Sequence, residues 1–468
     1  MKLSALFLCL VAGGSLVAAP TVSDVVVSSK SNKSTLRIRY QLDEPAVITM
    51  DVKVRGVSVG EAALKTIGGE VNALVKAGRH SAYWPLPAGW AAADADVRAE
   101  VTAWATNCPP DYMVISLTNA DERISYYTST NAFPRPVTDM MYKTTHLVMR
   151  KIPAAGVVWM KGYRVSSNGT SYSGDSDSSY ASTFPVMLTR DYYLAIYELT
   201  RRQFCLMQGD ANLPTLGNQL PAQFRTDMSS AEDLPVGHLS YANLRGNETN
   251  LVGGVLALWP VFDHDNRPPC LVRNFGVKYG VAFDIPSDAE WEYACRAGTT
   301  GCNYLDGAPS ANRQNLGEIA WYAGNSSNET YQSAVPHPVG LKRPNAWGLY
   351  DMFGNMYEST ADWVPKSVSP RLRAATLQID PKGPADCEVS SKGRPMVPGS
   401  ATDYGGELRT MRGGCFASGG DRVKASTIWG NGMRWSNCAT GDGESGNSYN
   451  ARNYAGGVRL YAPAQATR

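Results

Sequence analysis

From Phe184 to its end the chain is rich in Gly, Trp, Tyr and Asn and shows few long stretches of helical or strand periodicity. Ordering so many loop residues is entropically expensive, so helix and sheet packing alone cannot fix them. Metal ions and buried aromatic side chains are the expected anchors. Only two helices are persuasive in this part. Thr200 is placed to cap a helix through Arg201-Arg202-Gln203-Phe204. A second helix begins at Ser287, with Glu290 three residues on giving capping-box spacing, and runs through Trp291 to Arg296.

The region Thr21 to Trp104 is patterned differently. Leu36, Ile38, Tyr40 and Leu42 alternate with polar residues, as do Ile48, Met50, Val52 and Val54, and then Val97, Ala99, Val101 and Ala103. Period-two alternation buries one face and wets the other, as in an antiparallel sandwich. Turn signals separate the runs at Ser31-Asn32, Asp43-Glu44-Pro45 and Gly68-Gly69. Residues 20–105 are therefore expected to form a small all-β, immunoglobulin- or fibronectin-like sandwich, a spacer or binding module. Residues 106–145, with Cys108-Pro109-Pro110 and Pro134-Arg135-Pro136, read as an ordered connector. Ser166 to Ser182 is almost entirely small and polar and reads as a mobile surface loop.

Residues 1–19 have the layout of a secretory signal peptide: Lys2, an apolar run from Leu6 to Ala12, and Val17-Ala18-Ala19. A membrane span needs roughly 20 apolar residues, and Gly13, Gly14 and Ser15 interrupt this run. Pro20 disfavours cleavage directly before it, which leaves Ala18 and Ala19 both open as cut sites. No later segment is apolar for long enough to span a bilayer, so a secreted or periplasmic protein, not membrane-embedded, is expected. With 44 basic against 42 acidic residues and no basic run, nothing in the charge pattern points to nucleic acid. Beyond Cys9 the cysteines are Cys108, Cys205, Cys270, Cys295, Cys302, Cys387, Cys415 and Cys438, too sparse for a dense disulfide framework. Five scattered histidines and the absence of any CxxC argue against a zinc or mononuclear iron centre.

Asp351, a Gly354-Asn355 turn and Glu358 form a further pattern: two carboxylates seven residues apart around a turn that exposes carbonyls. This is an economical oxygen cage for a hard cation; a solvated acidic turn is the alternative.

Four segments, in order, resemble the formylglycine-generating enzyme family, the sulfatase-modifying-factor fold. They are Asp191-Tyr192-Tyr193-Leu194-Ala195-Ile196-Tyr197-Glu198-Leu199-Thr200; Asp284-Ile285-Pro286-Ser287-Asp288-Ala289-Glu290-Trp291-Glu292-Tyr293-Ala294-Cys295-Arg296-Ala297-Gly298; the segment from Lys342-Arg343-Pro344-Asn345 through Gly354-Asn355-Met356-Tyr357-Glu358; and Arg412-Gly413-Gly414 with Gly457-Val458-Arg459-Leu460. The resemblance implies a loop-rich, C-type-lectin-like α+β domain over residues 146–463. It also implies calcium held by the side chains of Asp351 and Glu358 and the carbonyls of Gly354 and Met356. A second calcium site would carry over to Asn315, the Leu316 carbonyl, Glu329 in place of the usual Asp, and the Tyr331 carbonyl.

The family's oxidases bind copper(I) through two cysteines and convert a sulfatase cysteine to formylglycine. Soft thiolates suit that metal, but here the two positions fall on Ser418 and Val423. Copper is accordingly not expected, and Cys415, at the Ser of the family's Gly-Gly-Ser, is a poor substitute. Where the family has a Trp-Glu-Trp motif that binds substrate peptide, this chain has Tyr357, Glu358 and Ser359. The family's disulfide from the helix would pair Cys295 with the position of Ile428, so a buried thiol is expected at Cys295. The leading expectation is an exported, calcium-stabilised binding module for a peptide, protein or glycan. The alternative is an oxidase of the family, formylglycine-generating or otherwise, that uses Cys415 with Cys438.

Overall fold

The structure is a computed structural model, and it describes residues 19–29, 34–87, 96–118, 124–161, 184–208, 231–237, 239, 244–245, 271–300, 304–305, 316–327, 334–363, 377–381, 409–416 and 456–467. The signal segment 1–18 and the Ser166–Ser182 stretch lie outside them. The chain divides into two compact units, 1–139 with 464–468, and 140–463.

In the first unit, strands β1 (Val22–Ser29), β2 (Thr35–Leu42), β7 (Gly78–Pro85) and β5 (Gly68–Gly69) form one antiparallel sheet in that order. In the second sheet, β3 (Ala46–Val54) pairs antiparallel with β4 (Val57–Ser58), β6 (Ala73–Val75) and β8 (Val97–Trp104). The alternation read from β2 is realised: Leu36, Ile38, Tyr40 and Leu42 are buried, whereas Arg37 and Arg39 face solvent. Leu36, Ile38 and Trp84 from one sheet share a core with Val52 from the other, which Met50, Val97, Ala99 and Val101 complete. Trp84 is fully buried and its indole Nε1 donates to the Ala63 carbonyl at 3.1 Å, at the short helix α1 (Glu61–Leu64). The stretch read as a connector holds a hairpin of β9 (Tyr112–Ser116) and β10 (Ile124–Tyr127). Phe133 packs edge-on against Tyr112 and Tyr127. The chain's end returns here, with Thr467 N donating to the Tyr126 hydroxyl at 2.8 Å.

The second unit is built of small sheets and short helices. After α2 (Met141–Thr144), strands β11 (His146–Ile152), β14 (Tyr192–Ala195) and β21 (Tyr461–Pro463) run antiparallel. Strands β12 (Val158–Lys161) and β13 (Phe184–Met187) are joined by β18 (Gln378–Ile379), parallel to β13. The pair β15 (Ala320–Trp321) and β16 (Phe353–Gly354) is parallel. A third sheet places β17 (Tyr357–Trp363) between antiparallel β19 (Arg409–Arg412) and parallel β20 (Gly456–Gly457).

The described helices of this unit are α2, α3 (Arg201–Gln208), α4 (Leu271–Tyr279), α5 (Asp288–Arg296) and α6 (Leu316–Ile319). Both expected starts hold. Thr200 Oγ1 accepts from Gln203 N at 3.2 Å while Gln203 Oε1 accepts from Thr200 N at 3.1 Å, a reciprocal cap of which only the Thr half was anticipated. At α5, Ser287 Oγ accepts from Glu290 N at 3.2 Å and Glu290 Oε2 accepts from Ser287 N at 2.9 Å. This helix stops at Ala297, which adopts a left-handed conformation (φ 46°). Helix α4 was not anticipated, although Leu271, Val272, Phe275 and Tyr279 on its buried face follow helical spacing. Lys278 ties it to α3 by donating to the Leu206 carbonyl at 2.6 Å.

Candidate functional site

The loop from Gly340 to Glu358 is held by side-chain amides. Asn345 Nδ2 donates to the carbonyls of Ala294 (2.8 Å) and Cys295 (3.1 Å) at the end of α5, and its Oδ1 accepts from the backbone N–H groups of Trp347 (3.0 Å) and Leu349 (3.1 Å). One buried Asn thus satisfies helix-end carbonyls and closes the turn. Asn355 does the same further on. Its Nδ2 donates to Glu198 Oε2 (2.7 Å) and to the His337 carbonyl (3.1 Å), and its Oδ1 accepts from His337 N (2.9 Å). Gly354 has φ 74°, and a Cβ there would collide with the Trp321 carbonyl across the β15–β16 pair, so glycine is required on both counts.

The two carboxylates of the predicted calcium loop have different surroundings. Asp351 is 1% exposed; its Oδ2 accepts from Gly340 N at 2.6 Å, while Oδ1 has no hydrogen-bond donor among the described residues. Burial pushes its carboxyl up to about 6, against the Gly340 hydrogen bond and the Arg459 charge, which favour ionisation. Glu358 is fully buried near the start of β17. Arg459 Nε donates to its Oε1 (3.0 Å) and Oε2 (2.9 Å), Arg459 Nη2 to Oε1 (2.5 Å), and Trp291 Nε1 to Oε2 (2.5 Å). The rest of the Arg459 guanidinium donates to the carbonyls of Ala195 (2.9 Å) and Tyr350 (2.8 Å).

A third acid, Glu198, completes the cluster. Its Oε1 accepts from Met356 N at 2.9 Å, and burial, followed by the charges of Asp351 and Glu358, holds its carboxyl well above the usual range. Glu198 and Arg459 lie within motifs noted in the sequence, but no role was assigned to either. Calcium fits this set in part. The unpartnered buried oxygen of Asp351 suits a hard cation, whereas both Glu358 oxygens already accept from Arg459 and Trp291, three N–H groups between them.

Of the expected second calcium site, Leu316 is buried and opens α6, and Asn315, Glu329 and Tyr331 lie outside the described residues. So do Ser418, Val423, Ile428 and Cys438. Cys415 is buried and clusters with Met356 and Phe416, against which Tyr357 packs half-buried. Cys295 is a buried free thiol whose Sγ lies 4.0 Å from the Met352 carbonyl, and burial pushes its pKa up. A second buried ionic group spans α5 and β19. Arg412 bonds Asp288 and, at 3.1 Å, Glu292 Oε2; Lys161 Nζ lies 2.5 Å from Asp288 Oδ2, and Arg296 Nε donates to Glu292 Oε1 at 2.9 Å. These cations, led by Arg412 at Asp288 and by Lys161 at Glu292, overcome burial and hold both carboxyls low.

The described residues thus form a β-rich domain of mixed small sheets and few helices, pinned by a buried Asn-Glu-Arg framework. Residues 150–441, more than half of the chain, match the Sulfatase-modifying factor enzyme 1-like domain, and the protein belongs to that family. Among curated relatives it is similar to Chaperone protein LppX of Paenibacillus barcinonensis, 27% identical over 191 residues, 37% of this chain and 62% of that protein. It is also similar to the formylglycine-generating enzyme of Streptomyces coelicolor, 35% identical over 104 residues, 21% of this chain and 31% of that enzyme. The chain therefore spans less than two thirds of the length of either. Among solved structures, Treponema denticola variable protein 1 aligns with a TM-score of 0.40 at 21% identity, over 68% of this chain and 96% of that one. No helix among the described residues is long and apolar enough to cross a membrane.

Proposed function

We propose that this chain is an exported, non-oxidising member of its family, a calcium-stabilised module that binds a peptide, protein or glycan. What carries the reading is that the family's two copper-cysteine positions, carried forward from Arg412-Gly413-Gly414, fall on Ser418 and Val423. Neither side chain supplies a thiolate, and copper(I) selects soft sulfur ligands. Cys415 is buried among Met356 and Phe416, a poor setting for a reactive thiolate, which needs access. In this reading the second unit has the C-type-lectin-like arrangement of the family and the first is an immunoglobulin-like presenting module. A signal peptide at 1–19 directs export, and Tyr357 contributes to the ligand surface. The calcium ion would be held by Asp351 with the carbonyls of Gly354 and Met356, where it supplies a positive charge that a buried carboxylate otherwise lacks. Support for this comes from the unpartnered Asp351 Oδ1.

The oxidase reading draws on the relatives named as formylglycine-generating enzymes, and one assay separates the two. A Cys-x-Pro-x-Arg peptide is incubated aerobically with the protein and copper and then weighed by mass spectrometry. No aldehyde is expected. A mass loss corresponding to the aldehyde that disappears in Cys415→Ser would overturn the proposal.

A further inference from the structure

The spacing of Asp351 and Glu358 reads as a cage for a metal ion, yet around Glu358 the cage already contains a cation. The Arg459 guanidinium is fully buried and surrounded by four oxygens: both carboxylate oxygens of Glu358 and the carbonyls of Ala195 and Tyr350. We infer that Arg459 is the built-in cation of this loop, so that Glu358 is its structural counter-ion and not a metal ligand. Any calcium bound here is then held from the Asp351 side without Glu358.

Three observations converge on this. Both oxygens of the Glu358 carboxylate are already engaged: Oε1 accepts from Arg459 Nη2, Oε2 accepts from Trp291 Nε1, and the single Arg459 Nε–H is shared between them. A metal could reach it only by displacing a charge-assisted, two-pronged pair, the strongest hydrogen-bonded arrangement available to a carboxylate. The pair is also central in the fold. Glu358 lies on the middle strand of its sheet, in register with Arg412 on one side and Gly457 on the other, and Arg459 follows β20 by two residues. Its guanidinium joins the end of β14 through Ala195 to the calcium loop through Tyr350. Lastly, Asp351 is buried with one oxygen that meets no donor among the described residues, while both oxygens of Glu358 meet donors. The two acids are therefore not equivalent halves of one metal site.

The test is a double-mutant cycle on the full chain, melted in chelator and in excess calcium. In chelator, Glu358→Gln and Arg459→Met should each melt well below the parent protein. The double variant should melt above either single, because it removes both charges together. Arg459→Lys, which keeps the charge, should melt above Arg459→Met. In calcium, Glu358→Gln should keep whatever rise in melting temperature the parent shows, and Arg459→Met, which frees the Glu358 oxygens, should gain a larger one. If the singles do not fold, recovery of folded protein in the double variant supports the pairing. Additive losses in chelator, or Arg459→Lys melting no higher than Arg459→Met, would overturn it. So would a calcium response that Glu358→Gln abolishes and Arg459→Met leaves intact. A parent protein indifferent to calcium refutes the calcium proposal above, and the chelator cycle still decides this one.

Discussion

Replacing Asp351 by Asn should stabilise the protein in chelator, and the gain should grow with pH. The Asp351 carboxyl is raised from 3.8 to about 6 because it is buried, with Glu358 and Glu198 nearby, against the opposing pull of the Gly340 N–H and of the charges of Arg459, Lys143 and Lys342. A carboxyl raised in the folded state holds its proton where the unfolded chain has released it. Its contribution is therefore fully present below pH 3.8 and is lost as pH rises through about 6. At 1.36 kcal/mol per pH unit, a two-unit rise is about 3 kcal/mol against the folded state at pH 7. Asn keeps the acceptor for Gly340 N and carries no charge, so it avoids this penalty, less about 1–3 kcal/mol if its NH2 finds no acceptor. The assay is urea unfolding of both proteins in chelator from pH 4 to pH 7.5. The stability difference, Asn variant minus parent, should rise across this range by an amount on the order of 2–3 kcal/mol. Calcium should then remove most of the rise by stabilising the parent alone. A pH-independent difference would refute the argument, since it would mean that Asp351 is ionised without penalty in the folded protein.

Other outcomes follow from the same contacts. Ser287→Ala deletes half of the capping box of α5 and a donor to buried Glu290, whose carboxyl burial has pushed up to about 8. It should lower stability by about 1–2 kcal/mol in urea titration. Gly354→Ala combines a left-handed backbone with a clash at the Trp321 carbonyl, so hydrogen exchange should show loss of protection in β16 and β17 together. Trp84→Ala empties the core between the sheets of the first unit and should cost about 3–5 kcal/mol in a thermal or urea melt. The Cys295 thiol should resist alkylation in the native protein and react only on unfolding, as peptide mapping would show.

Local pattern was readable wherever neighbours in sequence are also neighbours in space. The alternation in β2 and β8, the Ser287–Glu290 box and the Gly354 turn depend on residues within a few positions of each other. Helix α4 carried the same kind of signal and was overlooked amid the Gly- and aromatic-rich composition around it. The choice of partner for each buried charge was another matter. Glu358 meets Arg459 across 101 residues, Arg412 meets Glu292 across 120, and Glu198 meets Asn355 across 157. Local spacing therefore placed two carboxylates in one loop, and the path of the chain decided that the cation beside Glu358 is a guanidinium. The physical reason is that burial makes an unpaired charge intolerable but leaves open which opposite charge compensates it, and only tertiary packing brings that charge within hydrogen-bonding distance.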